Sequence, residues 1–186
     1  MILADERAAL RRLAFEFLHK KVKVMFLRDF PEIDLGEDKI GPFKKGDTVE
    51  MYLWLAKILS QEGIARIEEG LDKFTSVDLY KILRAEIGKP GINPLPEMFY
   101  LTVREQMESM KASERESPHA AGESERLATF LRDIMIARLN KIIKLALQNP
   151  RPSELNALSQ EEKVLYEKLS GIIRTWIEEI TGEGRK

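Results

Sequence analysis

The sequence contains no cysteine. That excludes disulfides, thiolate nucleophiles and cysteine-based zinc sites. Histidine is almost as scarce: only His19 and His119 are present, and neither has a companion ligand nearby. His19 reads as a helix-end residue and His119 as a solvated loop residue. Asn and Gln number four each, while Glu and Lys abound. Few heat-labile side chains beside many opposite charges point to a thermophilic source. Nothing approaches ~18 uninterrupted apolar residues, so no membrane-spanning segment is expected. In "MILADERAALRRLAFEFL" charges interrupt what would be the apolar region of a secretory signal, and the expectation is a cytoplasmic protein.

Familiar chemistry is missing as well. Phosphate-cradling glycine loops, nucleophile elbows and metal-ligand spacings do not occur. The acidic stretch "EIDLGED" at 32–38 lacks the spacing and terminal Glu of a calcium loop and reads as a solvated loop. A hydrolase is disfavoured because nothing supplies a nucleophile with a base. No catalytic residue, metal ligand or cofactor is expected, and the chain reads as a non-enzyme.

The 186 residues suffice for one ordinary domain or two small ones, and a hydrophobic fraction of 44% supports a sizeable core. Charged residues make up 33%, yet 30 basic and 31 acidic side chains nearly cancel. Any contact with a polyanion would therefore need a local patch.

Along the chain, apolar residues at helical spacing predict a helix over 3–18, closed by His19-Lys20-Lys21. Val22, Val24 and Phe26 then alternate with Lys21, Lys23 and Met25, a strand pattern. Pro31 and Gly36 bracket a loop, "GPF" at 41–43 is a turn, and Gly46 permits a hairpin. A short strand is expected at 48–51, a helix over 52–61 and a returning strand at 64–67. Thr75, with Asp78 three residues on, caps a helix that stops at Gly88. A second helix is expected from Pro96 to about Arg115, followed by a linker at 116–124. Ser124 is positioned to cap a long helix over 125–148, apolar on most sides and hence central. "NPRP" ends it, and Ser159 with Glu162 forms a capping box for a last helix to about Ile180. The reading is α+β, mainly α: an N-terminal helical extension (1–19), a small β-rich domain (20–70) and a helical bundle (71–186).

The long helix carries Arg126, Arg132, Arg138, Lys141 and Lys144 against Glu125 and Asp133, a surplus of three positive charges. Arg138 and Lys141 share a face. The cations either pair with the acidic last helix (Glu161, Glu162, Glu167, Glu178, Glu179) or with a partner, or contact phosphate backbones. The second option makes the chain a DNA-binding accessory protein. No aromatic residues interleave with these charges.

Two segments resemble one family. "GPFKKGDTVEMYLWLAKIL" at 41–59 is similar to the small β-rich domain of GINS subunits. There a Gly-Pro-Phe turn leads through a Gly hairpin and a short strand to a helix opening with Leu-Trp-Leu-Ala. The matching residues are Gly41, Pro42, Phe43, Gly46, Leu53, Trp54, Leu55 and Ala56; Tyr52 departs from a Pro often found there. "PLPEMFYLTVREQM" at 94–107 and "ESERLATFLRDIMIARLNKIIKLAL" at 123–147 resemble the GINS helical domain through Leu95-Pro96, Phe99-Tyr100, Arg132-Asp133-Ile134 and Arg138…Lys141-Ile142. The resemblance spans roughly residues 20–180. With the β-rich domain first, it resembles the subunit type related to the eukaryotic Psf-two and Psf-three chains, in an archaeal version. It implies a non-catalytic scaffold that assembles with a sister subunit, often as a heterotetramer, although a homo-oligomer is also open. It also implies a nucleoid-associated protein that joins the MCM helicase to a RecJ-like partner, with indirect or weak DNA contact. Phe130, Ile134, Arg138, Lys141 and Trp176 are then expected at subunit or partner interfaces. Phe43, Leu53, Trp54 and Leu55 form the core or docking surface of the small domain, with Trp54 open between buried residue and interface anchor.

Overall fold

A computed structural model of the chain describes the backbone of residues 2–36, 39–113 and 118–182, and the side chains of 7–36, 39–111 and 122–182. Helices dominate, and the strands form one three-stranded and one two-stranded sheet, so the fold is α+β, mainly α. Residues 14–72 gather into one unit, and residues 1–13 with 73–186 into another. The boundary falls inside the first helix, α1 (Ile2–Leu18).

In the unit of residues 14–72, alternation along β1 (Lys21–Phe26) decides the sheet. Val22, Val24 and Phe26 are buried, while Lys21 and Lys23 face solvent. β1 is the middle strand, antiparallel to β4 (Thr48–Tyr52) on one side and to β5 (Ala65–Glu69) on the other. The register with β5 slips between Lys23 and Val24, leaving Glu68 as the extra residue of a bulge. α2 (Leu53–Gln61) starts where β4 ends and packs on all three strands through Leu53, Leu55, Ala56 and Leu59. Gly70, just beyond β5, has φ +104, and a Cβ there would lie 2.9 Å from the Val22 Cα, so only glycine fits without displacement.

The stretch at 32–38 is not simply a loop. Ile33–Asp34 (β2) pairs antiparallel with Lys39–Ile40 (β3), Ile33 facing Ile40. Strands of two residues are too short for an alternation to be read from sequence. Glu37 and Asp38 lie outside the described residues. Below this hairpin, Phe30 and Phe43 exchange backbone hydrogen bonds of 2.9 and 2.8 Å, and the Phe43 ring stacks on Phe26 with centroids 4.1 Å apart.

The other unit is a helical bundle around α5 (Pro118–Ala146), packed against α3 (Ser76–Ile87), α4 (Phe99–Ser113) and α7 (Gln160–Thr181). The Thr75–Asp78 box opens α3, and Gly88 caps its end. α4 starts three residues later than expected, because Met98 takes the left-handed value φ 51 and breaks helical continuity from Pro96. Arg115, expected near its end, is outside the described residues. The expected linker at 116–124 is helical from Pro118 onward, since proline is well accommodated in a first turn. Ser124 therefore lies inside α5 and caps nothing. His119 likewise belongs to α5 by its backbone, and its side chain is outside the described residues. A short helix not expected from sequence, α6 (Pro152–Asn156), follows "NPRP" with its own first-turn proline. Ser159 and Glu162 cap α7, and Gly182 closes it at φ 73.

The bundle core is built from Leu79 and Leu83 of α3, Phe99 and Val103 of α4, and Leu127, Leu131 and Ile134 of α5. A smaller cluster joins Ile142 and Leu145 to Leu158.

Candidate functional site

The buried stripe of α5 runs Leu127, Leu131, Ile134, Arg138, Ile142, Leu145, at steps of three and four. An arginine thus occupies a core position, with relative exposure of 0%. Stranding that charge would be costly, and the surroundings satisfy it completely. A guanidinium has five N–H donors. Here Nε donates to Glu162 Oε1 (2.5 Å), Nη2 to Glu162 Oε2 (2.7 Å) and to the Ala157 carbonyl (3.3 Å). Nη1 donates to Glu86 Oε2 (3.0 Å) and to the Asn93 carbonyl (2.7 Å).

Each carboxylate is shared further. Glu162 accepts from the Tyr100 hydroxyl at 2.6 Å and from the Ser159 amide at 2.9 Å. Glu86 accepts from Lys141 Nζ at 2.6 Å and from Asn93. Lys141 also donates to the carbonyls of Glu86 and Gly91. Two cations and two carboxylates balance, and they tie the end of α3, the loop before α4, the start of α4, the middle of α5 and the start of α7. Burial works against the Arg138 charge, but the hydrogen bonds and charge of Glu162, then the charge of Glu86, hold its pKa above the ordinary arginine value. Burial, reinforced by the Glu162 charge, raises the Tyr100 hydroxyl far above the phenol range. Every polar group here is used in holding another, so the centre orients helices.

The structure divides the expected interface residues. Ile134 and Arg138 are fully buried within this unit, and Lys141 is largely buried on Glu86. Within this chain these three hold the bundle together: Ile134 in its apolar core, Arg138 and Lys141 in its ion pairs. Phe130 is partly buried against the bundle core, with Tyr80 at 5.7 Å between ring centroids. Trp176 is 65% exposed. In the small unit, Phe43, Leu53 and Leu55 are buried, and Trp54 is half-buried. Of the five cations on the long helix, Arg138 and Lys141 are consumed by ion pairs, leaving Arg126, Arg132 and Lys144 exposed. The pairing reading therefore holds for Arg138 with the acidic last helix, and a phosphate-binding face there loses its two central members.

Sequence reasoning missed Glu86, Asn93 and Tyr100. A usable signal was present: a lone arginine on the apolar stripe of α5 requires buried carboxylates. One of them was the capping Glu162.

Outside the core the bundle leaves apolar residues uncovered. On α5 Ile136, Leu139 and Ile143, continued by Leu147 just past its end, form a second stripe at steps of three and four, each exposed. On α7 Leu165, Ile172, Trp176 and Ile180, at steps of seven, four and four, are exposed as well. From Gly171 to Gly182 every residue but Ile173 is exposed. Among the described residues no group of three His, Asp or Glu is arranged to hold a metal ion, and no helix is long and apolar enough to cross a membrane.

The family model for the GINS complex protein helical bundle domain (Sld5) matches residues 64–181, more than half of the chain. No curated protein matches the chain.

Proposed function

Because the chain belongs to the GINS family of non-catalytic subunits of the replicative helicase complex, we propose that it is a subunit of the β-rich-domain-first, Psf-two/Psf-three-like type, from a thermophilic archaeon. In this reading its bundle joins a sister subunit, in a heterotetramer, and the assembly links the MCM helicase to a RecJ-like partner at the nucleoid.

One observation carries the assembly reading. The second half of α7 is helical with only Ile173 half-buried, while displaying Ile172, Trp176 and Ile180 along one side. A short amphipathic segment gains little from propensity alone, because isolated helices below about 12–15 residues are marginal in water. Large rings and branched chains at regular spacing are the anchors that helix-to-helix interfaces use. The exposed stripe of α5 supplies a second such face. Phe130 and Trp176 remain the contacts proposed from the sequence; Trp54 is the docking candidate on the small unit.

The test is co-purification with a sister GINS subunit. Trp176→Glu is expected to lose the complex while its circular dichroism matches that of the parent chain. Retention of the complex by Trp176→Glu and by Ile172→Glu would count against the α7 surface. The bridging role is checked by retention of MCM and of a RecJ-like protein on the assembled complex.

A further inference from the structure

One feature of the small unit is absorbed neither by the fold nor by assembly through the bundle. Phe17 points inward from α1 and is 3% exposed, whereas Phe15, on the opposite side, is 60% exposed. His19 follows Phe15 by one helical turn, and the two rings lie face to face, with centroids 4.0 Å apart and tilted by 33°. The Tyr52 ring continues the row 5.7 Å beyond His19 and is 43% exposed. His19 is fixed in place: Nδ1 donates to the Phe15 carbonyl at 2.8 Å, which leaves Nε2 as the free acceptor. The backbone locks the row from below, since Lys20 accepts from the Leu53 amide and Lys21 faces Tyr52 across the sheet.

Charge around the row is unbalanced in one direction. Lys20 and Lys21 form no ion pair among the described residues. Lys23, two residues on, pairs with Glu69. The carboxylates nearest in sequence and register are Glu16, already engaged, and Glu50, which faces Lys23. An aromatic row whose outer rings, Phe15 and Tyr52, stay exposed at its two ends, flanked by unpaired ammonium groups, matches a ligand that alternates flat π-systems with phosphates. Duplex DNA does not fit, because its bases are stacked on one another and offer no faces.

We propose that Phe15, His19 and Tyr52 form a stacking site for one or two bases of single-stranded nucleic acid, with Lys20 and Lys21 holding the adjoining phosphates. The site does not depend on the assembly reading, and it uses none of the cations of the long helix. Binding is sequence-tolerant, because every base has a π-face, and weakens with salt through the two lysines.

The experiment is fluorescence anisotropy of a labelled oligothymidylate of about 12 nucleotides titrated with the full chain at low salt. Phe15→Ala and Tyr52→Ala are each expected to weaken binding about tenfold, in line with the loss of one stacked base. Both side chains are exposed, and circular dichroism checks that the variants fold. Lys21→Gln is expected to weaken binding and flatten its salt dependence. The proposal is overturned if the parent chain does not bind, or if the ring variants bind as well as the parent. It also fails if inorganic polyphosphate competes as effectively as the oligonucleotide, since charge alone then suffices. Loss of the sister-subunit complex by Phe15→Ala with unchanged oligonucleotide binding would make the row a protein contact and likewise refute it.

Discussion

Arg138 and Glu162 meet as a two-pronged pair inside the bundle, Nε to Oε1 at 2.5 Å and Nη2 to Oε2 at 2.7 Å, both side chains almost wholly out of water. Glu162 is also the residue that completes the cap of α7. One carboxylate therefore fixes where α7 begins and which residue of α5 it begins beside. The angle at which the exposed half of α7 leaves the bundle follows from that anchor.

Removing one partner should be far worse than removing both. Glu162→Gln leaves the guanidinium without its main counter-charge, and the expected loss is about 3–5 kcal/mol. The double variant Arg138→Met/Glu162→Gln is expected to recover part of it, because the stranded charge is gone. Urea unfolding of the two single variants and the double variant measures this. Additive losses would contradict a coupled pair.

Tyr100 gives the pH dependence. Its folded-state pKa is raised above that of the unfolded chain, by burial first and by the Glu162 charge second. A raised pKa means that stability from this group is fully present below the unfolded value, about 10, and is lost as pH rises beyond it. Tyr100→Phe is therefore expected to be less stable than the parent at neutral pH, through loss of the hydrogen bond to Glu162, and to show a shallower decline above pH ~10. Thermal unfolding across the alkaline range tests this. Parallel curves for the two proteins would refute it.

Two glycines of the small unit separate conformational cost from crowding. Gly46 and Gly70 have φ +92 and +104, but a Cβ at Gly46 meets nothing within 4 Å, whereas at Gly70 it meets the Val22 backbone at 2.9 Å. Gly46→Ala is expected to cost about 1 kcal/mol. Gly70→Ala should cost at least twice as much, because the strand itself must shift. Equal losses in chemical denaturation would contradict the geometry.

Ser124 makes the opposite prediction. Its hydroxyl is buried within α5 with no hydrogen-bond partner among the described residues. Ser124→Ala removes an unsatisfied group and improves helix propensity, so stability should stay level or rise by up to about 1 kcal/mol. A clear loss in the same assay would mean that the hydroxyl has a partner.

Legibility from sequence followed the strength of local patterns. Val22, Val24 and Phe26 announced β1 because burial alternates strictly there. Thr75–Asp78 and Ser159–Glu162 announced their helices because capping chemistry is contained within four residues. The α5 N-terminus was misplaced because Pro118, Gly122 and Ser124 carry turn propensity that tertiary packing overrides. The ionic centre is half legible: Arg138 and Lys141 share a face of the long helix, and the acidic last helix offers Arg138 its partner Glu162. Glu86 and Asn93 could not be reached, because they lie 52 and 45 residues from Arg138 and meet it only through the packing of α3 on α5. Exposure of Trp176 was equally hidden. Its helical spacing is that of a core residue, and only the folded chain shows it left mostly exposed.

The central claim is that the uncovered face of α7 is an assembly surface. Multi-angle light scattering of the full chain at micromolar concentration, alone and mixed with a second GINS subunit, tests it most directly. The account predicts a stable multi-subunit mass in the mixture that disappears with Trp176→Glu. A monodisperse monomer in both samples, or a complex indifferent to that substitution, would contradict it.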